Sequence, residues 1–494
     1  MIKKLNKIYS LIIFGFFLLM PVFTARADSL NQQVSFFVDS GFSKNEAVKI
    51  DATLKGSYDN VYFYFEDSWW NDKKQEEYPD LFSKMSKLAS EFDSNIYPQL
   101  TSTFGNEANP GIDKDKKITV LFYSMKDNAR GYVRNIDEYD RLVNPYSNQR
   151  EMLYLNVDNL DSPLMKSFLA HEFMHLITFN QKEMKYNVAE DVWLNEARAE
   201  YAPTLLGYND NLASTNYLSN RVKSFINSPS TSLIDWDGSI DDYGAVSIFV
   251  HYLVDHYGSY ILVDSLKSKE VGIESINQAL LKNNIKERFN DIYTNFTIAV
   301  YLNDCSVSAK YCFKNPNLVD LHILPFSNYL PFSGDSNLYL GQNIKNYTAH
   351  WQKFSGGVGT LKLTFKSSSN AEFVIPYIVK NISGDAIVNF LEFNQNQSSD
   401  LLVPGIGKDI ASVILIPSVQ QSSLDTKVSY YYSLTAASFF DTNANQGDDL
   451  EADEIKLPFT IDKPLSQMNR EELLTVLLKL IITLLTQGRL IPIQ

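Results

Sequence analysis

The sequence predicts an α+β protein built in three stretches: strands mixed with helices, then helices, then strands. Three observations carry this expectation. Residues 51–67, "DATLKGSYDNVYFYFED", alternate in the strand-like manner. Residues 162–182, "SPLMKSFLAHEFMHLITFNQK", place apolar residues at helical spacing. From about Asn346 onward the hydrophobic period returns to two. With 494 residues and 45% hydrophobic content, the chain can bury a substantial core and form several domains.

Taken in order, residues 1–27 read as a secretory signal. Lys3, Lys4 and Lys7 precede the apolar run "LIIFGFFLLMPVF", and "ARA" precedes Asp28, so cleavage is expected after Ala27. Residues 28–160 form the N-terminal α+β part. It includes a helical pattern over 78–105 that stops at Gly105, a buried-type strand "KITVLFYS", and shorter strands "GYVRN" and "MLYLNV". Residues 161–335 are helical. Ser162 is the expected N-cap and Pro163 the first helical residue of the first helix. "EDVWLNEARAEYAPTLLG" gives a second helix and "DDYGAVSIFVHYLVDHYG" a third. Residues 346–440 hold five strand-like runs and read as a β-sandwich. An acidic linker over 441–463 and an amphipathic helix over 464–494 complete the chain. Cys305 and Cys312, the two cysteines present, suit a disulfide in an exported protein.

The net charge is −14 and the pI about 5.0. That balance speaks against nucleic acid or anionic lipid as the main ligand. The chemistry concentrates in "HEFMH". His171 and His175 stand four residues apart, so one helical face directs both at a common metal ion. Glu172 lies beside them, placed to act as general base on the attacking water. A catalytic zinc takes three protein ligands. A third histidine six residues after His175 would make the metzincin pattern, but Gln181 stands there and Thr178 replaces its glycine. A carboxylate on the next helix is the alternative, and "WLNEARAEY" offers Glu196 and Glu200 on one face.

"HEFMH" followed by "WLNEARAEY" resembles the gluzincin pattern of HExxH with a downstream N-E-x-x-[SA]-[DE]. Together with "FGNEANPGIDKDKKITVLFYSM", it resembles the hyicolysin family of secreted bacterial metalloproteases over roughly residues 51–302. The resemblance implies a zincin-like catalytic domain. It implies His171, His175 and Glu196 as zinc ligands, Glu172 as general base, and Glu200 behind a ligand histidine, fixing its tautomer. Many relatives have aspartate at the position of Glu200. Tyr243 and His251, on the third helix, are the expected oxyanion donors, because gluzincins often supply tyrosine or histidine from this region. "GYVRN" is the expected edge strand for a peptide substrate.

Two further segments carry expectations. Asp441, Asn443 and Asn445 have the spacing of a calcium (Ca2+) loop, but Gly447 is one place late and position twelve is Ala452. A solvated linker is the expected reading there. The last helix carries one polar stripe, Glu472, Thr475, Lys479, Thr483 and Thr486, within an apolar surface. It predicts docking on the protein itself, self-association or cell-envelope contact. The whole reads as a secreted zinc (Zn2+) endopeptidase acting on protein or peptide. A zinc aminopeptidase, and a cell-envelope adhesion protein on a silent zincin fold, are the alternatives.

Overall fold

A computed structural model describes residues 27–71, 79–209, 216–331, 336–367, 371–394, 397–421 and 427–439, together with Leu474, Thr475 and Lys479. The expected signal segment, the acidic linker with its calcium-loop spacing, and nearly all of the last helix lie outside these residues. The chain divides into one unit ending at Phe440 and a second beginning at Asp441. The larger unit mixes helices and sheets, as the α+β expectation states.

Its first layer is a six-stranded sheet: β1 (Gln33–Phe37), β2 (Lys49–Ser57), β3 (Val61–Glu66), β4 (Ile118–Tyr123), β5 (Gly131–Val133) and β6 (Met152–Asn156), ordered β1-β2-β3-β4-β6-β5. β3, β4 and β6 run parallel, and β5 returns antiparallel to β6 at the sheet's edge. The strands β3, β4 and β6 are buried along their whole length and are accordingly mostly apolar, with Glu66, Thr119 and Asn156 as buried polar exceptions. One face packs on helices through Phe63, Phe65, Val120, Phe122, Leu153 and Leu155. The other carries Tyr64, Leu121, Tyr123 and Tyr154, under the segment that follows β1.

The helices are α1 (Asp67–Asn71), α2 (Leu81–Glu91), α3 (Tyr97–Phe104), α4 (Met165–Phe179), α5 (Val192–Leu205), α6 (Tyr217–Asn227), α7 (Ile240–Tyr257), α8 (Tyr260–Leu266), α9 (Gly272–Lys282) and α10 (Phe289–Leu302). The long helical pattern over 78–105 is two helices joined by a π-helical turn at Phe92–Ile96. Helix α4 starts later than Ser162 and Pro163 suggest. Ser162 accepts the Leu164 and Met165 amides in a turn, and Leu164 is the N-cap. Helix α7 does begin on a full capping box, with Ser239 and Asp242 exchanging side-chain-to-backbone bonds. None of the described helices is long and apolar enough to cross a membrane.

The β-rich part starts at Phe326, earlier than expected, because "FSNYLPFSGDSNLYLGQNIK" supplies β7 (Phe326–Leu330) and β8 (Ser336–Lys345). The remaining strands are β9 (Gln352–Gly356), β10 (Gly359–Ser367), β11 (Phe373–Val374), β12 (Pro376–Asn381), β13 (Ala386–Phe390), β14 (Ser398–Ile406), β15 (Ile410–Leu415), β16 (Ser418–Val419) and β17 (Ser429–Phe439). Apart from the β11–β16 pair, pairing among the described residues falls into two runs, β13-β12-β15-β9-β7 and β14-β10-β17-β8, joined there only by Ile406 opposite Ile410. Phe354, Leu361, Phe365, Val413, Tyr432 and Leu434 fill the core between them.

This region shares a core with the helices. Tyr347, Ala349 and Trp351 belong to the helical cluster. Trp351 Nε1 donates to the Thr297 carbonyl at 2.9 Å, and the Leu233 amide donates to Tyr347 at 2.9 Å. Asp235, nearly fully buried, is held by Lys345 and Lys427, each at 2.6 Å. Cys305 and Cys312 form the expected disulfide after α10.

Candidate active site

Helix α4 is almost entirely buried and packs its inner turns against β5, β6 and α5. The four-residue spacing of His171 and His175 puts both imidazoles on one side. Helix α5 then runs back past them and brings Glu196 to the same point. The Nε2 atoms of the two histidines lie 3.2 Å apart. Glu196 Oε2 is 3.3 Å from His171 Nε2 and 3.6 Å from His175 Nε2, and it accepts no hydrogen bond from any donor. The three donor atoms all lie within 4.8 Å of one another, the one such His, Cys, Asp and Glu group among the described residues.

Three lone-pair donors converging in a buried space, one of them an orphaned carboxylate oxygen, are costly without a positive charge between them. Two imidazole nitrogens and one carboxylate oxygen are a zinc donor set. The residues therefore fit the metal that the motif implies.

The far nitrogen of each imidazole is held. Asn195 Oδ1 lies 3.1 Å from His175 Nδ1. On the other side, Tyr217 OH lies 3.1 Å from His171 Nδ1 and donates to Glu200 Oε1 at 2.6 Å. Glu200 Oε1 itself is 3.5 Å from His171 Nδ1. With both Nδ1 atoms protonated towards these acceptors, both Nε2 lone pairs face the centre. Glu200 is fully buried and is gripped by Arg221, whose Nε and terminal nitrogen donate at 2.8 and 2.7 Å. The repulsion between Glu196 and Glu200 is thus relieved by separate partners: a guanidinium for Glu200, and a site for a cation at Glu196.

Glu172 points into a cavity of about 1070 Å³ that Gly131, His171, Tyr217, Arg221 and Tyr243 also line. Burial, against the pull of His171 and with the like charges of Glu196 and Glu200, pushes Glu172 up to about 8. Gly131, the first residue of β5, touches this carboxyl. A Cβ there would stand 2.8 Å from Glu172 Oε1 and from the Tyr154 carbonyl. The edge strand and the glutamate are therefore immediate neighbours, and β5 pairs only with β6 among the described residues.

Tyr243 lies on the cavity wall, its ring 6.3 Å from that of His171 and beneath the Arg221 guanidinium at 4.7 Å. Burial and the nearby carboxylates of Glu196, Glu172 and Glu200 raise its hydroxyl's proton affinity, so it stays a donor. His251 is placed differently. Its Nε2 meets Thr204 Oγ1 at 2.7 Å, its Nδ1 meets the Ser247 carbonyl at 2.6 Å, and it does not line the cavity. With both nitrogens engaged inside the helix pair, it has no free donor for a reacting oxygen, and the oxyanion role is withdrawn from it.

Asn195, Tyr217 and Arg221 are additions to the residues read from the sequence. Asn195 stands in the quoted "WLNE" without a role. Tyr217 and Arg221 sit on α6, a helix the sequence reading omits. Its signals were present: Asn216 accepts the Ser219 amide as an N-cap, and Leu218, Val222 and Phe225 share one face.

No protein-family model matches the chain. Among solved structures, the pre-peptidase C-terminal domain of a Bacillus anthracis collagenase is 9% identical, with a TM-score of 0.17, over 23% of this chain and 96% of that one. The lysozyme inhibitor PliG of Aeromonas hydrophila is 11% identical, with a TM-score of 0.16, over 23% of this chain and 98% of that one. Both likenesses are too slight to carry an argument. The neutral metalloprotease ShpI of Staphylococcus hyicus is 27% identical over 303 residues, 56% of this chain and 64% of the relative. The chain thus spans less than two thirds of that relative's length. At that level the resemblance drawn from "HEFMH" and "WLNEARAEY" holds: the chain is similar to a bacterial neutral metalloprotease.

Proposed function

We propose that the protein is a secreted, zinc-dependent endopeptidase of gluzincin type with a zincin-like catalytic domain and a two-layered β-sandwich behind it. The observation that supports this best is the buried convergence of His171, His175 and Glu196 beside Glu172, on a cavity bordered by an open strand edge. The similarity to a neutral metalloprotease supports the same reaction class.

His171, His175 and Glu196 would hold the zinc, which supplies Lewis acidity to the scissile carbonyl and acidifies the attacking water. Asn195, and Tyr217 with Glu200 behind it, keep the two imidazoles in the ligating tautomer. The outer edge of β5 hydrogen-bonds an extended peptide and lays its carbonyl beside Glu172. Glu172 takes a proton from the water and returns it to the departing amine. Its raised proton affinity falls when a cation is near, which brings it into the range for exchange at neutral pH. Tyr243 donates to the oxygen on which charge develops.

Zinc content and casein cleavage, measured for the wild type and for Glu172→Gln, test this. The expected outcome is one zinc in each protein, with turnover reduced by about 10²- to 10⁴-fold in the variant. A wild type that holds zinc and cleaves nothing would overturn the endopeptidase reading in favour of a silent, binding role. The aminopeptidase alternative needs carboxylates to capture a substrate amine. The cavity wall instead carries Lys126, Arg130, Arg221 and Lys223, with Asp241 as the acidic group besides Glu172.

A further inference from the structure

The wall of the Glu172 cavity beside β5 carries positive charge that the proposed mechanism leaves unused. A turn closed by the Ala129 amide, which donates to the Lys126 carbonyl at 2.9 Å, leads through Arg130 into β5. Lys126, Arg130, Gly131 and Phe168 line the cavity together with Glu172. Three relations fix the place of the arginine. Its neighbour Gly131 is so close to Glu172 that a Cβ there would stand 2.8 Å from Oε1. Its guanidinium carbon lies 6.0 Å from the centre of the Phe168 ring, and Phe168 stands one turn before Glu172 on the same face of α4. Its Nη1 donates to Asn159 Oδ1 at 3.3 Å and to the Asp127 carbonyl at 3.5 Å.

Neither cation has a carboxylate partner. Both acceptors of Arg130 are neutral, and the exposed Lys126 ammonium makes no hydrogen bond or ion pair among the described residues. The carboxylates next to these residues in sequence, Asp127 and Asp158, are turned to Lys44 instead, at 4.0 and 3.8 Å. Of the acidic groups on the cavity wall, Glu172 is committed to proton transfer, and Asp241 accepts from Ser224 Oγ at 3.1 Å. Arg221, the other arginine of the wall, is taken up by Glu200. In a chain where 58 acidic groups face 44 basic ones, two unpaired cations on one turn are a cradle for an anion brought by the substrate.

A peptide laid antiparallel along the open edge of β5 runs against the direction of the strand. With its scissile carbonyl beside Glu172 and Gly131, the part that passes Arg130 is the part after the scissile bond. We propose that Arg130, assisted by Lys126, selects substrates with an acidic side chain one or two residues after that bond; this rests on the endopeptidase reading. The planar guanidinium offers a carboxylate parallel N–H groups. Its seat on Phe168 and Asn159 reduces the freedom lost when substrate binds. Because the wall is open to water, the gain is modest, about three- to tenfold in kcat/KM. The contact is equal in ground and transition states, so the gain falls in KM.

The test uses the zinc-loaded full chain and C-terminally amidated peptides built around a bond that it cleaves in casein. Glu or Gln is placed either just after that bond or just before it. The wild type is expected to favour Glu after the bond by about three- to tenfold, through KM, with the ratio shrinking towards one as salt is raised. Glu before the bond should bring no gain. Arg130→Gln should bring the ratio to about one with zinc content intact, and Arg130→Glu should turn the preference to Lys at the same positions. Equal cleavage of the Glu and Gln peptides by the wild type overturns this inference and leaves the endopeptidase reading standing; cleavage of neither overturns both. A preference that survives Arg130→Gln combined with Lys126→Gln also overturns it. So does one that appears only with a free C-terminal carboxylate, which would make the chain end the ligand. The wild-type comparison decides without any variant having to fold.

Discussion

Replacing Glu200 by alanine separates the two glutamates of "WLNEARAEY". In the structure this carboxylate touches no metal position. It accepts from Tyr217 OH at 2.6 Å and from Arg221 at 2.7 and 2.8 Å, and it is fully buried. Removing it leaves a largely buried guanidinium unpaired, a loss of about 3–5 kcal/mol for a broken buried ion pair. A domain of this size loses roughly 2–4 °C per kcal/mol, so Tm should fall by about 10 °C. The zinc donors all survive, but Tyr217 no longer has an acceptor and is freer to donate towards His171 Nδ1, favouring the wrong tautomer. Zinc affinity should then fall about ten- to a hundredfold, the range for loss of such a supporting partner. Glu196→Ala removes a donor outright and should abolish tight zinc binding. Chelator competition followed by a colorimetric zinc indicator measures both variants, with calorimetry for Tm. Equal zinc loss in the two, or an unchanged Tm for Glu200→Ala, would refute this division of roles.

Other outcomes follow from the same geometry. Tyr243→Phe keeps the ring under Arg221 but removes the donor, so kcat should fall about 10²-fold with zinc content intact; unchanged kcat removes Tyr243 from the mechanism. His251→Ala should instead lower Tm by leaving a cavity, with kcat per zinc-loaded molecule little changed. Gly131→Val would push β5 or Glu172 aside, and a displacement of about 1 Å costs roughly 10²-fold in turnover; active-site titration against zinc content reads this directly. Burial holds His350 down at about 4 against 6.5 in the unfolded chain. The unfolded chain therefore takes the proton first, so this contribution is complete above pH 6.5 and drains away as pH falls towards 4. It amounts to at most about 3 kcal/mol. His350→Gln should flatten the Tm profile between those pH values.

The convergence of His171, His175 and Glu196 was legible because local geometry encodes it. An i, i+4 pair on a helix must share a face, and the carboxylate pair of the next helix repeats the rule. Strands β4 and β6 were equally plain, since strands buried on both sides leave apolar runs, and β2 and β3 fall within the stretch that alternates. What was missed depends on contacts between distant segments. Arg221 has meaning only once Glu200 is seen opposite it, and "NYLSNRVKSFIN" is too polar to announce its helix strongly. His251 shows the reverse error. A histidine in the right helix was read as a donor, yet the rotation of α7 turns it towards Thr204 and leaves Tyr243 on the cavity side. At the start of α4, Ser162 and Pro163 suggested a cap, but the chain makes one more turn before the helix begins.

The lysines that hold Asp235 bear on how this chain could be recombined. Asp235 lies shortly before Ser239, the cap of the helix that carries Tyr243, whereas Lys345 and Lys427 come from the β-rich part. A protein cut before Phe326, or refitted with a foreign C-terminal module lacking those two lysines, would lose both partners of Asp235 and bare the helical surface against which Tyr347, Ala349 and Trp351 pack. The C-terminal half is therefore no interchangeable passenger. Its inheritance is tied to that of the helical half, and hybrids that ignore this should fail first at the entrance to α7.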